Sequence, residues 1–246
     1  MNNFALEQYL NQYLNSQDFQ DYTVNGLQVQ GKEQVQKIVT GVTASQELID
    51  YAIAVKADAI LVHHGYFWKG SDPRITGYHY QRIKKLISHD INLYAYHLPV
   101  DYHPEIGNNV ALAHLFNLDN HVISGNIVIC ELSKPIKASD LYQTISQVLQ
   151  VPILHVSKNC PEYITKVGIC SGGGQNFIDQ AFAKGCDAYI SGEISEQTYH
   201  SAVEQGIHYF QCTHHASERY GIKLLGEKLA KELNLEVEFK DMHNPA

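Results

Sequence analysis

The chain has no run of lysines and arginines, no Cys-x-x-Cys pair and no apolar stretch of membrane-spanning length. With a net charge of −8, the first absence argues against a duplex nucleic acid partner, whose binding depends on neutralising phosphates. A small anion reached through metal ions stays open. The five cysteines, Cys130, Cys160, Cys170, Cys186 and Cys212, are scattered and odd in number. That excludes a disulfide framework or a zinc ribbon and points to a reduced, cytoplasmic setting. Residues Met1 to Leu10 carry neither the basic nor the apolar region of a secretory signal, and no membrane partner is expected. A disordered-tail composition is absent too. At 246 residues, 44% apolar and 18% charged, the chain can bury a core as one large domain or two modules.

Histidine is what the chain has in excess, with 14 residues. Most must be surface or structural, but three clusters stand at the ends of strand-like runs. His63-His64 closes the apolar run Ala59 to Val62. His97-Leu-Pro-Val-Asp101 follows Ile91 to Tyr96, and His214-His-Ala-Ser-Glu218 follows Ile207 to Cys212. Imidazole nitrogen with carboxylate oxygen is the donor set of borderline divalent cations, and five such groups exceed what one ion takes from protein. The pattern implies two metal ions held between two related halves.

The halves repeat in order and in detail. Lys37 to Val42 predicts a strand, Thr43-Ala-Ser-Gln46 a capping box opening a helix to about Val55, and Ala59 to Val62 a buried strand. A helix over Tyr80 to Ser88 and a strand over Asn92 to Tyr96 follow. The second half offers a strand over Lys166 to Cys170, a helix over Asn176 to Lys184 and a strand over Asp187 to Ile190. A helix over Glu196 to Glu204 and a strand over His208 to Cys212 complete it. Gln46, Ile49 and Asp50 match Gln175, Ile178 and Asp179 at an offset of 129, which sets His63-His64 against Gly192-Glu193. His97 and Asp101 match His214 and Glu218 at an offset of 117. The expected fold is α/β: two intertwined, related repeats with mixed sheets, residues 1–125 and 126–246, and a dinuclear metal site between them.

Several residues admit two readings. His63 and His64, as neighbours on a strand, face opposite ways, so they serve two adjacent ions or are one core and one surface histidine. Pro99 predicts a loop rather than a helix for His97 to Asp101. His97 is a ligand or a group that orients one. Glu193 is a general base, an outer acceptor or an exposed loop acid. Ser171-Gly-Gly-Gly-Gln175 is an anion cradle or a tight turn at a crowded place, and lacks the endings of nucleotide-binding loops.

Taken in order, Asp21 to Gln28, Gly41 to Ser45, Val62 to Gly65, His97 to Asp101, Ile190 to Glu193 and His214 to Glu218 resemble the GTP cyclohydrolase I type 2 homologues, the Ngg-interacting-factor-three-like proteins. The resemblance spans essentially the whole chain and is nearest to the short bacterial form, since 126–162 leaves no room for the inserted domain of longer members. It implies His63, His64, Asp101, His214 and Glu218 as ligands of two divalent ions per subunit, with Glu218 bridging. Zn, Fe, Mn and Ni suit these donors alike. It also implies a ring-shaped homohexamer with sites facing an interior cavity. The expected activity is hydrolysis of a nucleotide-like or small phosphorylated or heterocyclic substrate, GTP cyclohydrolase-like at its narrowest, with Glu193 and His97 moving protons. The alternative is a metal-stabilised assembly protein or a metallochaperone.

Overall fold

A computed structural model describes every residue except Asp119. The chain divides into two compact units, Met1–His103 with Gly221–His243, and Pro104–Tyr220 with Asn244–Ala246.

The first unit runs α1 (Asn3–Tyr13), β1 (Gly26–Val29), β2 (Lys37–Thr43), α2 (Gln46–Ala54), β3 (Ala59–His64), α3 (Gly77–Ser88), β4 (Asn92–Ala95) and α4 (Leu98–Asp101). The second runs α5 (Asn108–Leu115), β5 (His121–Ser124), β6 (Ile127–Lys137), α6 (Ala138–Leu149), β7 (Leu154–Val156), β8 (Tyr163–Cys170), α7 (Ile178–Ala183), β9 (Ala188–Ser191), α8 (Glu196–Gln205), β10 (His208–Gln211) and α9 (His214–Ser217). Then α10 (Arg219–Leu233) and β11 (Glu236–Phe239) return the chain to the first unit, where β11 pairs in parallel with β2. These bounds differ from a cut at residue 125, because the last strand completes the sheet begun by the first third of the chain.

Each unit carries one mixed sheet. In the first the order is β1-β4-β3-β2-β11, and in the second β5-β6-β8-β9-β10-β7. The repeated part is the parallel trio β2-β3-β4 and its counterpart β8-β9-β10. Registers agree: Ile38 faces Ala59 as Val167 faces Ala188. Even the fastening is copied. Asp58 Oδ2 accepts from the backbone N–H of Gln36 and Lys37, both at 3.0 Å, and Asp187 Oδ2 accepts from those of Thr165 and Lys166 at 2.7 and 3.1 Å. A carboxylate at the mouth of the second strand thus holds the start of the first, which makes these two acids structural.

Parallel strands buried on both faces read as continuous apolar runs, and β3 and β9 are such runs. Ile60 and Val62 pack with Val39, Leu48, Ile49 and Leu93 in the core of the first unit. Ile169, Ile190 and Phe210 pack with Leu141, Ile145 and Leu149 of α6 in the second.

Two local expectations are revised. The helix α2 is capped by Ser45, whose hydroxyl accepts from Leu48 N, so Thr43 stays on the strand. His97 to Asp101 is not a loop: α4 is a single helical turn with Pro99 inside its first turn, where the missing N–H has no intrahelical partner to lose. The strand β6 continues through Pro135, with a register shift between Glu131 and Ile136 that accommodates a residue unable to donate to the ladder.

Candidate metal centre

In the first unit the parallel trio delivers its chemistry at the carboxyl ends of its strands. His63 and His64 end β3, His97 follows β4, and Asp101 closes α4. His63 is fully buried and Asp101 nearly so. His63 Nε2 lies 3.5 Å from Asp101 Oδ1. One donor nitrogen from each of His63, His64 and His97 lies within 4.8 Å of those of the other two.

Each of these rings is held by its Nδ1. His63 Nδ1 meets the carbonyl of Tyr96 at 3.1 Å, His64 Nδ1 the hydroxyl of Thr43 at 3.3 Å, and His97 Nδ1 the carboxylate of Asp21 at 2.7 Å. Anchoring Nδ1 makes Nε2 the donor each ring offers. The indole of Trp68 packs against the rings of His64 and His97, with centroids 5.7 and 5.0 Å apart. Trp68 thus forms an aromatic wall beside the two imidazoles.

In the second unit α9 presents His214, and buried Glu218 follows its last residue. His214 Nε2 lies 3.0 Å from Glu218 Oε2, and His214 Nδ1 lies 2.7 Å from Glu193 Oε1. Burial pushes the imidazole of His214 down, but Glu218 and then Glu193 push harder the other way, to about 9. A proton therefore sits where two carboxylates converge on one ring, and a cation bound there would displace it. Gln175 Nε2 donates to Glu193 Oε2 at 3.1 Å and steadies the outer acid.

The glycine-rich loop takes the second of its two readings. Two of its backbone donors already have partners: Ser171 N donates to Asn109 Oδ1 at 2.7 Å and Gly172 N to Ser217 Oγ at 2.9 Å. Gly172 has φ +58°, and a Cβ there would lie 1.9 Å from Glu218 Oε1. The glycine makes room for the carboxylate.

The repeat also places an extra residue. Along the ladders Leu61 faces Tyr94, and Ile190 faces Phe210. Two residues separate the facing positions from His97, and three separate them from His214. Thr213 is the addition, at φ +61°, a conformation costly for a β-branched residue and common at functional sites. Cys212 before it is fully buried, and burial pushes its thiol up to about 12. It stays protonated and donates to Ser191 O at 3.2 Å, outside the donor set.

Every residue expected from the sequence thus lies beside a partner of the right chemistry within its own unit: His63 with Asp101, His64 with Thr43, His214 with Glu218 and Glu193. Imidazoles anchored through Nδ1, and a buried carboxylate given space by glycine, fit a divalent cation. Asp21 is the residue that sequence reasoning missed as a functional group. It lies 76 positions from His97, and only the start of the Asp21 to Gln28 motif marked it.

The Duf34/NIF3 (NGG1p interacting factor 3) pattern matches residues 1–245. The chain belongs to the Duf34/NIF3 family. Among its Duf34/NIF3 relatives, a protein of Haemophilus influenzae named GTP cyclohydrolase 1 type 2 homolog is 55% identical, with both chains covered in full. A solved structure named protein ybgI, of unknown function, is 50% identical over both full chains at a TM-score of 0.97. TTHA1606 from Thermus thermophilus is 30% identical over both full chains at 0.92. The mixed α/β fold with two repeat-related sheets is therefore the fold of this family. Among the described residues, no helix is long and apolar enough to cross a membrane.

Proposed function

We propose that this protein is a dinuclear metal-dependent hydrolase acting on a nucleotide-like or other small phosphorylated or heterocyclic substrate. His63, His64, Asp101, His214 and Glu218 hold two divalent cations, with Glu218 serving both. When bound, the ions supply an acidified water and neutralise charge that develops on the substrate. His97 and Glu193 move protons, since each combines a heteroatom near the donor cluster with a fixed partner. Asp101 and Glu218 are the carboxylate ligands, and Trp68 excludes water from one side of His64 and His97.

The observation that carries this reading is the unit-1 cluster of three imidazoles, each tied by Nδ1, with their donor nitrogens within 4.8 Å of one another. A structural metal needs ligands alone. A set that adds an oriented imidazole beyond the ligands is built for proton transfer. The Haemophilus influenzae relative is named GTP cyclohydrolase 1 type 2 homolog, which supports GTP as the first substrate to test. A ring-shaped homohexamer in the cytoplasm belongs to the same reading; its support is the family resemblance and five free cysteines.

The test is a turnover screen of nucleotides, phosphoesters and cyclic amides with metal-reconstituted protein beside Glu218→Ala. The expected result is two ions per wild-type subunit, with both ions and turnover lost in the variant. Two ions retained in Glu218→Ala would remove its double role. Metal removal that dissociates the oligomer, with no turnover above the variant, would favour the assembly protein instead.

A further inference from the structure

Asp21 lies in the segment between α1 and β1, and its carboxylate is almost completely shielded from solvent. Three N–H groups and the Nδ1 of His97 converge on it. Oδ1 lies 2.7 Å from His97 Nδ1 and accepts from Tyr22 N at 2.6 Å. Oδ2 accepts from Asn25 Nδ2 and Leu98 N, both at 2.9 Å. Asn25 completes the clasp by accepting from His97 N through Oδ1 at 2.8 Å. Burial alone would push this carboxyl up, but the hydrogen bonds from His97 and Asn25 hold it down at about 2. An ionised carboxylate only accepts. A neutral His97 must then carry its proton on Nδ1 and present a lone pair on Nε2.

The second unit has a parallel. His214 occupies the place of His97 in the repeat and also has a carboxylate, Glu193, on its Nδ1. The two acids arrive differently: Glu193 follows β9, while Asp21 comes from a segment outside the repeat. The other sides of the rings differ as well. His214 Nε2 meets Glu218, four residues on, whereas Asp101, the equivalent acid in the first unit, lies against His63. His97 thus has the orienting carboxylate of its counterpart without the carboxylate that marks His214 as a ligand.

We infer that Asp21 is a positioning residue that locks His97 in the Nδ1–H tautomer, so that His97 Nε2 is the proton acceptor of the hydrolytic step. This rests on the hydrolase reading above. In the step, the attacking water gives a proton to Nε2 while its oxygen bonds to the electrophilic centre of the substrate. The same proton then passes from Nε2 to the leaving oxygen or nitrogen as the old bond breaks. Asp21 takes no proton and stabilises the imidazolium through Nδ1–H.

The experiment has a readout that needs neither metal nor substrate. Nitrogen-15 NMR of neutral histidines in the metal-free protein, with His97 assigned by its loss in His97→Gln, reports which ring nitrogen is protonated. The expected wild-type state is Nδ1–H. In Asp21→Asn, an amide N–H turned toward His97 makes Nδ1 the acceptor and moves the proton to Nε2. Turnover should fall about a hundredfold or more, with two ions still bound. A wild-type His97 protonated on Nε2 overturns the inference, and this result does not depend on the variant's folding. So does Asp21→Asn with tautomer and turnover unchanged. A wild type that binds two ions, shows the Nδ1–H tautomer and turns over nothing defeats the hydrolase reading, and with it the base role of His97.

Discussion

Replacing Gly172 with alanine tests the centre at its most crowded point. Two costs arise separately. At φ +58° an L-residue meets its own carbonyl, at roughly 1–2 kcal/mol. The new Cβ would also stand 1.9 Å from Glu218 Oε1 and 3.1 Å from His214 Nε2, so the carboxylate must retreat by about an ångström or more to reach ordinary contact. Glu218 is buried and has little space to retreat into, so the total destabilisation should be about 2–4 kcal/mol. Its neighbour supplies the control. A Cβ on Gly173 meets nothing nearer than 3.8 Å, and its φ is −77°, so Gly173→Ala should stay within about 0.5 kcal/mol of wild type. Urea unfolding of both metal-free variants measures the first quantity, and metal content after reconstitution measures the displacement of Glu218. Equal midpoints and equal metal content in the two variants would refute the claim that the loop exists to admit the carboxylate.

Other outcomes follow from the same geometry. Thr43→Val removes the hydroxyl on His64 Nδ1 and should weaken metal binding about tenfold or more; competition with a chromophoric chelator measures this, and unchanged affinity would show that Thr43 does not hold the ring. Asp187→Ala strips the acceptor from Thr165 N and Lys166 N and should cost about 1–3 kcal/mol in urea unfolding, with metal content intact; a loss of metal instead would contradict its purely structural role. Burial first, and then His208, hold His155 at about 4, below its ordinary 6.5. The unfolded chain therefore binds that proton more tightly, so the stability His155 gives at neutral pH should be lost as pH falls from about 6.5 toward about 4. His155→Gln should flatten that part of the stability profile, and an unchanged slope would place its origin elsewhere.

The repeat was legible because it is written in local chemistry. Apolar runs at Ala59 and Ala188 recur at an offset of 129, and His97 and His214, each after the last strand of its parallel trio, recur at an offset of 117. Where expectation and structure part, a residue's place within its element or a longer-range contact decided. Pro99 does not prevent a helical turn because it stands in the first turn. The cap moved from Thr43 to Ser45 because β2 extends through Thr43 to pair with His64 on β3.

The sequence by itself determined the donor set: the residue types, their place at strand ends and their distribution over two related halves. These depend on side-chain chemistry and on periodicities that reach only a few residues. Tertiary structure alone decided how each donor is used. Asp21 reaches His97 across 76 positions, Asp101 turns to His63 rather than His97, and Gly172 yields its side-chain volume to Glu218. Which proton a histidine keeps, and which carboxylate it faces, depends on groups brought together only when the strands pair, so no local pattern in the chain could record it.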